Sequence, residues 1–293
     1  MSEPNRIDTD LLRDFPLPHV AEDSDKEDRG RLLVIAGSRE LAGAALLAGL
    51  AALRAGAGKL QIGTAQSIAA PLAVALPEAR IIGYPETGEG GIAEAGIAPL
   101  VRWARMAQAV AAGCGMRSEP NLVKLLADVL GCGARCPLVL DAAMLDCLAP
   151  LEVEVTAWPG GKILLPHRGE MARLLGKDVA EIEADPLAAV RQAAARFNAI
   201  ALLKGRYSFA AEPDGRAFRL KGGGVGLATS GSGDVLAGIV GGLCARGAAP
   251  LTALLWGMWL HAEAGRILTE RVGRLGFLAR ELPDQIPGLL PEN

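Results

Sequence analysis

The feature that most constrains the fold is a regular alternation of short apolar runs with longer segments of helical periodicity. The strands that this pattern predicts are 31–36, 59–62, 79–82, 108–112, 137–141, 162–165 and 200–203. The helices predicted between them are 42–55, 66–76, 93–104, 119–130, 168–175 and 186–197. Apolar strands that alternate with helices predict an α/β fold, in which a mostly parallel central sheet carries helices on both faces.

The two ends of the chain depart from this alternation. Segments 207–211 and 217–220, split by a Pro-Asp-Gly turn, predict an antiparallel hairpin at the sheet edge, and 233–246 and 250–271 predict two helices. Residues 1–29 are polar and predict an N-terminal arm that lies on the domain surface or on a partner subunit. Because no linker-like stretch follows, residues 30–293 are expected to form a single domain.

Composition excludes several function classes. The formal net charge of −3 gives no electrostatic reason to expect a nucleic-acid partner. Five cysteines suggest no disulfide framework, and Cys132 and Cys136 lack the further ligands of a zinc site, so no residue is assigned to a metal. The N-terminus does not read as a signal peptide and no apolar run predicts a membrane span, so we expect a cytoplasmic protein without a membrane partner.

Ligands of parallel α/β sheets bind beyond the carboxyl ends of the strands. Breaks that contain glycine or polar residues follow the predicted strands at these positions: Gly37-Ser38, Gly113-Cys-Gly115, Asp141, Pro166-His167, Lys204-Gly205 and 221–234. Their coincidence predicts a ligand site at that edge of the sheet.

The segment Gly231-Ser-Gly-Asp234 opens an apolar helix and predicts a phosphate site. Glycines let the backbone approach an anion closely, and the free amides of the first helical turn face it. Asp234 would repel a phosphate unless it acts as a base or contacts a hydroxyl or Mg²⁺. The alternative is that Ser232 or Asp234 merely caps the helix.

Two further segments contain candidate side chains. Lys204-Gly-Arg-Tyr-Ser208 suits contacts to phosphate and ribose, although an exposed turn lysine is the alternative. His167 follows a strand-ending proline, and Glu170 stands in the next helical turn, where it favours the helix dipole and could be structural. Neither a GxGxxG nor a Walker A sequence is present, which disfavours a Rossmann dehydrogenase and a P-loop NTPase.

Together these segments resemble the ADP-dependent NAD(P)H-hydrate dehydratases of the ribokinase-like superfamily. The resemblance extends from about Asp23 to residue 272, and its most specific motif is Ala228-Thr-Ser-Gly-Ser-Gly-Asp-Val-Leu-Ala-Gly238. Further landmarks in the family's order are Gly43-Ala44, Pro137-Leu-Val-Leu-Asp141, Leu165-Pro-His-Arg-Gly-Glu170 and Leu203-Lys-Gly205. The fold that the resemblance implies is a single-domain, three-layer ribokinase-like sandwich.

The activity that the resemblance implies is repair of hydrated NADH and NADPH, with ADP as co-substrate and Mg²⁺ as cofactor, giving NAD(P)H, AMP and phosphate. Asp234 would be catalytic and contact the substrate. The other implied substrate contacts are Ala44, Gly115 and His167. The implied nucleotide contacts are Lys204, Gly205, Arg206, Tyr207, Ser208, Ser232 and Gly233.

Two alternatives stay open. One is a ribokinase-like kinase that phosphorylates a small-molecule or vitamin alcohol, since it would share the glycine loop and Asp234. The other is a non-catalytic adenine-nucleotide sensor on the same fold. The alanine-rich helices and the N-terminal arm further predict a homo-oligomer, for which a tetramer is one arrangement.

Overall fold

The computed structural model describes residues 3–291, so that residues 1, 2, 292 and 293 of the predicted arm and domain lie outside the described part. The strands are β1 (Asn5–Arg6), β2 (Arg31–Ile35), β3 (Lys59–Ala65), β4 (Ala79–Tyr84), β5 (Ala109–Ala112), β6 (Leu138–Leu140), β7 (Lys162–Leu164), β8 (Ile200–Leu203), β9 (Tyr207–Ala211) and β10 (Ala217–Lys221). The helices are α1 (Thr9–Arg13), α2 (Ala42–Arg54), α3 (Gln66–Ala75), α4 (Ile97–Ala104), α5 (Asn121–Leu130), α6 (Glu152–Ala157), α7 (Arg168–Leu175), α8 (Val179–Ala184), α9 (Pro186–Phe197), α10 (Ser232–Ala245) and α11 (Pro250–Arg271).

The strands form one sheet in the order β1-β10-β9-β8-β7-β6-β5-β2-β3-β4. Neighbours pair in parallel except for β9, which is antiparallel to both β8 and β10. The prediction of a mostly parallel sheet with one hairpin is therefore confirmed. The prediction that the hairpin forms the edge is wrong, because β1 pairs in parallel with β10 and lies outside it.

Side chains alternate between the two faces of the sheet, as the pleat of a strand requires. Leu32 and Val34 of β2 join the core that α2, α3, α10 and α11 cover, whereas Leu33 and Ile35 join the core under α4, α5, α7 and α9. A sheet with a helical layer on each face confirms the predicted three-layer α/β sandwich.

The segment before β2 packs into the first of these cores. Ile7 and Leu12 are buried there, and the ring of Phe15 packs edge-on against Phe218 of β10 with centroids 6.0 Å apart. The indole Nε1 of Trp256 donates a hydrogen bond of 2.7 Å to the carbonyl oxygen of Phe15. The segment is thereby fastened to both the sheet and α11.

Helices α2 and α10 pack with their backbones in close approach because glycines of α10 face α2. A Cβ at Gly238 would collide with the carbonyl oxygen of Ala48, and one at Gly242 would lie 2.6 Å from that of Ala52. Only glycine permits this distance between backbones. Both helices begin at the carboxyl edge of the sheet, and the close contacts hold them against each other.

Candidate active site

The loops predicted to share one edge of the sheet do come together there. The amide of Gly37 donates to the carbonyl oxygen of Cys114 at 2.8 Å, and the amide of Lys204 donates to that of Pro166 at 3.0 Å. A parallel bridge also joins His167 to Lys204. The carboxyl ends of β2, β5, β7 and β8 therefore border a single region.

An ion pair between Lys204 and Asp141 lies at the centre of this edge. Nζ of Lys204 is 2.7 Å from Oδ1 of Asp141, and the Asp141 side chain is 4% exposed. Burial opposes the ammonium charge, but the carboxylates of Asp141 and Glu170 outweigh it and raise the pKa of Lys204. The lysine is thus held as a cation at a fixed position, as a phosphate contact requires.

Helix α10 begins beside this pair. Gly231 is its N-cap residue, with φ +89° and no side-chain cap, so the alternative in which Ser232 or Asp234 caps the helix is wrong. The amide of Ser232 donates to the carbonyl oxygen of Thr229 at 3.2 Å, whereas the amides of Gly233 and Asp234 have no acceptor within the helix and remain available to an anion. A Cβ at Gly233 would lie 3.4 Å from Nζ of Lys204 and 3.7 Å from Oδ2 of Asp141, so Gly233 presents its open side to both charges.

Asp234 stands in the same helical turn with a perturbed carboxyl group. Burial and, secondly, the charge of Asp141 raise its pKa from 3.8 to about 6, although a hydrogen bond with Cys114 and the charge of Lys204 act in the opposite direction. A carboxylate with a pKa near neutrality can accept a proton from substrate and release it again. Asp234 therefore has the electrostatic surroundings of a general base.

A cavity of about 960 Å³ opens on one side of these residues. Its polar wall includes these candidates: His167, Lys204, Gly205, Arg206, Ser208, Ser232 and Gly233. Leu202, Leu236 and Met258 supply an apolar wall. Tyr207, also predicted as a nucleotide contact, is half exposed and lies outside this lining. Such a mixture of apolar walls with a few converging polar groups is typical of a small-molecule site.

Ala44 and Gly115 meet on the other side, outside the lining of this cavity. Gly115 has φ +64°, and a Cβ there would collide with the Cβ of Ala44 and lie 2.8 Å from the carbonyl oxygen of Leu41. The loop after β5 therefore rests directly on the first turn of α2. The Cys114 thiol in that loop is close enough to Asp234 to affect its pKa, and Asp234 directly follows Ser232 and Gly233 of the cavity wall although it is itself outside that lining.

His167 combines a structural role with exposure to the cavity. It is the N-cap residue of α7, where its Nδ1 accepts hydrogen bonds from the amides of Gly169 and Glu170 at 3.0 and 3.3 Å. Its Nε2 lies 3.2 Å from Oε1 of the buried Glu170. Since Nδ1 accepts, Nε2 carries the proton and donates to Glu170. Glu170 thus fixes both the ring and its tautomer.

The described residues do not form a metal cage of their own: between residues 3 and 291 no three His, Cys, Asp or Glu side chains cluster closely enough to hold an ion. Mg²⁺ commonly takes only one or two carboxylates and completes its shell with water and substrate phosphates. Asp234 and Oδ2 of Asp141, beside Gly233, provide such hard oxygen donors next to the anion site. These residues fit a magnesium ion carried by phosphate groups.

Two residues of the candidate site are not predicted by the sequence. Asp141 was recognised only as a strand end, and its pairing with a lysine 63 residues away has no local signal. His261 lies in the middle of α11, where helical periodicity indicates core, yet its side chain lines the cavity. Its one available signal was rarity, because the chain has three histidines.

Comparisons with known proteins agree with this geometry. Residues 32–288 match the family described as NAD(P)H-hydrate dehydratase. The chain is 45% identical over 281 residues to an ADP-dependent (S)-NAD(P)H-hydrate dehydratase of Xanthomonas campestris pv. campestris, covering 95% of this chain and 93% of that protein. It is 36% identical to a bifunctional NAD(P)H-hydrate repair enzyme of Moorella thermoacetica, covering 94% of this chain and 52% of that protein.

A solved structure shares the whole architecture. It is the ADP/ATP-dependent NAD(P)H-hydrate dehydratase of Bacillus subtilis, co-crystallised with ATP/Mg²⁺, with a TM-score of 0.82 and 30% identity over 99% of this chain and 98% of that one. A structure described as a ribokinase-like superfamily protein from Enterococcus faecalis has the same fold, with a TM-score of 0.82 at 23% identity. The predicted ribokinase-like fold is confirmed, and the chain belongs to the NAD(P)H-hydrate dehydratase family.

Proposed function

We propose that this protein dehydrates the (S)-hydrates of NADH and NADPH in an ADP-dependent reaction, giving NAD(P)H, AMP and phosphate. The observation that carries the proposal is that Asp234 adjoins both Gly233 in the wall of the cavity and the loop in which Gly115 contacts Ala44. Two ligands bound on either side of Asp234 would meet at its carboxylate. The activity for which the Xanthomonas relative is named supports this assignment.

The cavity would hold ADP with its phosphates toward α10. The amides of the first helical turn and Nζ of Lys204 would neutralise the terminal phosphate. Gly205, Arg206, Tyr207 and Ser208 follow Lys204 in sequence and would contact the rest of the nucleotide. Mg²⁺, if held by Asp141 and the phosphates, would supply further neutralisation of charge.

The hydrated nicotinamide ring would lie beside Ala44 and Gly115, with its hydroxyl at Asp234, and His167 would contact it from the cavity that His167 lines. In the first step Asp234 accepts the hydroxyl proton while the oxygen attacks the β-phosphorus of ADP, and the bond to the bridging oxygen breaks to release AMP. The ring C–O bond then breaks as the nitrogen lone pair expels phosphate. Loss of a proton from the neighbouring carbon restores the dihydronicotinamide, so the net change is that of hydrate and ADP to NAD(P)H, AMP and phosphate.

A coupled assay tests the proposal. Hydrated NADH is incubated with the protein and ADP, and absorbance at the wavelength of reduced nicotinamide is followed, with ATP and candidate alcohols in parallel. Recovery of absorbance with release of AMP supports dehydration. Formation of ADP from ATP with an alcohol would instead support the kinase alternative, and ADP binding without turnover would support a nucleotide sensor.

The cellular setting forms part of the proposal. The five cysteines are free, which supports a reducing compartment such as the cytoplasm. Within residues 3–291 no helix has the length and apolarity to cross a membrane. We also propose a homo-oligomer, of which a tetramer is one form, since Val272, Leu275 and Leu278 expose apolar surface on the segment that follows α11.

A further inference from the structure

His261 is a half-buried titratable group that takes no part in the proposed dehydration. It projects from α11 into the cavity and meets the start of α10. Its Nε2 lies 2.9 Å from the hydroxyl oxygen of Ser232 and 3.0 Å from the carbonyl oxygen of the same residue. A single ring nitrogen therefore contacts both oxygen atoms of the residue that opens the anion-binding turn.

These two distances determine where the protons are. A carbonyl oxygen can only accept a hydrogen bond, so the contact of 3.0 Å is favourable only when Nε2 of His261 carries a proton. The hydroxyl oxygen of Ser232 then accepts from the same N–H, and its own proton is free to point elsewhere. Burial lowers the pKa of His261 to about 4, so that the ring is neutral near pH 7 and this tautomer persists.

The surroundings of Ser232 limit where that proton can go. The side chain is buried, with 6% of the residue exposed, and Ser232 lines the cavity beside Gly233 and Lys204. A buried hydroxyl that accepts from His261 still needs an acceptor for its own proton. A phosphate oxygen held at the N-terminus of α10 is such an acceptor.

We propose that His261 is a positioning residue, which by donating to Ser232 turns the Ser232 hydroxyl outward as a hydrogen-bond donor to a nucleotide phosphate. The inference rests on the proposed function only in taking the cavity ligand to be an adenine nucleotide. It assigns a role to a histidine on a helix remote in sequence from the glycine loop.

Calorimetric titration with ADP and with adenosine tests the inference, because adenosine shares the base and ribose but lacks phosphate. His261→Leu replaces the ring with an apolar side chain and so removes the hydrogen-bond donor. We expect it to weaken ADP binding about tenfold, the value of a hydrogen bond to a charged group. Adenosine binding should change less than about twofold. His261→Gln, whose amide can also donate, should recover most of the ADP affinity.

A second comparison separates positioning from packing. Ser232→Ala should lose as much ADP affinity as His261→Leu, and the double variant should lose no more than either single variant. Equal losses of ADP and adenosine affinity in His261→Leu, or losses that multiply in the double variant, would overturn the inference. Thermal unfolding shows whether His261→Leu folds. If it does not, the ADP affinities of His261→Gln and Ser232→Ala are compared: His261→Gln should keep most of the affinity that Ser232→Ala loses, and equal losses would overturn the inference.

The two proposals fail in different ways. If the wild-type protein binds neither ADP nor adenosine, the proposed function and this inference both fall. If the wild-type protein binds ADP tightly but His261→Leu binds it with unchanged affinity, the inference alone is rejected.

Discussion

Nζ of Lys204 and Oδ1 of Asp141 lie 2.7 Å apart although 63 residues separate them in sequence. The pair connects the end of β6 to the end of β8 across the strand β7 that lies between them. Neither side chain can be removed without leaving the other as an uncompensated charge in a mostly buried site. The ion pair is thus a structural constraint as well as part of the candidate active site.

We expect Asp141→Asn and Lys204→Met each to lower the free energy of unfolding by about 3 kcal/mol, because each leaves one buried charge unpaired. The double variant Asp141→Asn/Lys204→Met should lose less than the sum of the two single losses. Urea denaturation of the three variants and the wild type measures this. Losses that simply add would show that the ion pair has no energetic coupling.

Asp234→Asn should reduce turnover at least about a hundredfold, the usual value of a general base, and leave ADP affinity within a few fold. Asparagine keeps the size of the side chain but cannot accept the substrate proton. Single-turnover assays with hydrated NADH, combined with calorimetry for ADP, separate the two quantities. Near-normal turnover would remove Asp234 from the role of base.

The pH dependence of kcat/KM should report the pKa of Asp234, which burial and the charge of Asp141 raise to about 6. The base must be ionised to work, so the rate should fall about tenfold per pH unit below this value and level off above it. The residual activity of Asp234→Asn serves as the control, because it should not show this fall in rate at low pH. A wild-type profile without a limb near pH 6 would count against the assignment.

The same raised pKa means that Asp234 lowers the free energy of unfolding at neutral pH. Between pH 3.8 and about 6 the folded state retains a proton that the unfolded chain releases, so stability falls as the pH rises through this window. Asp234→Asn should therefore stabilise the ligand-free protein by up to about 3 kcal/mol at pH 8 and by little at pH 4.

Urea denaturation at the two pH values measures this difference. Asp23→Asn, which removes an exposed carboxylate from the segment before β2, is the matched control and should change stability equally little at both. The expectation is contradicted if Asp234→Asn stabilises the protein equally at pH 4 and pH 8.

Two glycines of α10 should respond oppositely to replacement by alanine. A Cβ at Gly233 meets nothing closer than 3.4 Å, so Gly233→Ala should fold normally but occupy the anion site and weaken ADP binding about tenfold. At Gly238 a Cβ collides with the backbone of α2, and Gly238→Ala should destabilise the protein by about 1–3 kcal/mol. Thermal unfolding measures the stability of both variants, and calorimetry measures their ADP affinity. The distinction is refuted if both variants lose only stability or both lose only ADP affinity.

The sequence predicted the strands and longer helices closely, because their periodicity records which face is buried. Predicted 186–197 and 250–271 coincide with α9 and α11. Strand β1 was not predicted, since two polar residues have no periodicity and their pairing depends on the free edge of β10. The short helices α6 and α8 are also too brief to show a repeating pattern.

The candidate site was predictable where topology alone places residues. Parallel strands bring their carboxyl ends to one edge, so the loops at Gly115, His167 and Lys204 could be grouped from sequence. What sequence could not supply was the partner of each side chain. The pairing of Lys204 with Asp141 and the contact of His261 with Ser232 arise only when distant elements pack together.

The close backbone packing of α2 against α10 has a kinetic consequence. The first turn of α2 supports the Ala44–Gly115 contact, and the first turn of α10 contains Gly233 and Asp234. Since glycine contacts lock the two helices together, the separation between the proposed phosphoryl donor and acceptor is set when the chain folds. Two bound ligands would then be aligned for transfer without any domain closure. Their binding free energy alone would offset the entropy lost when they are fixed relative to each other.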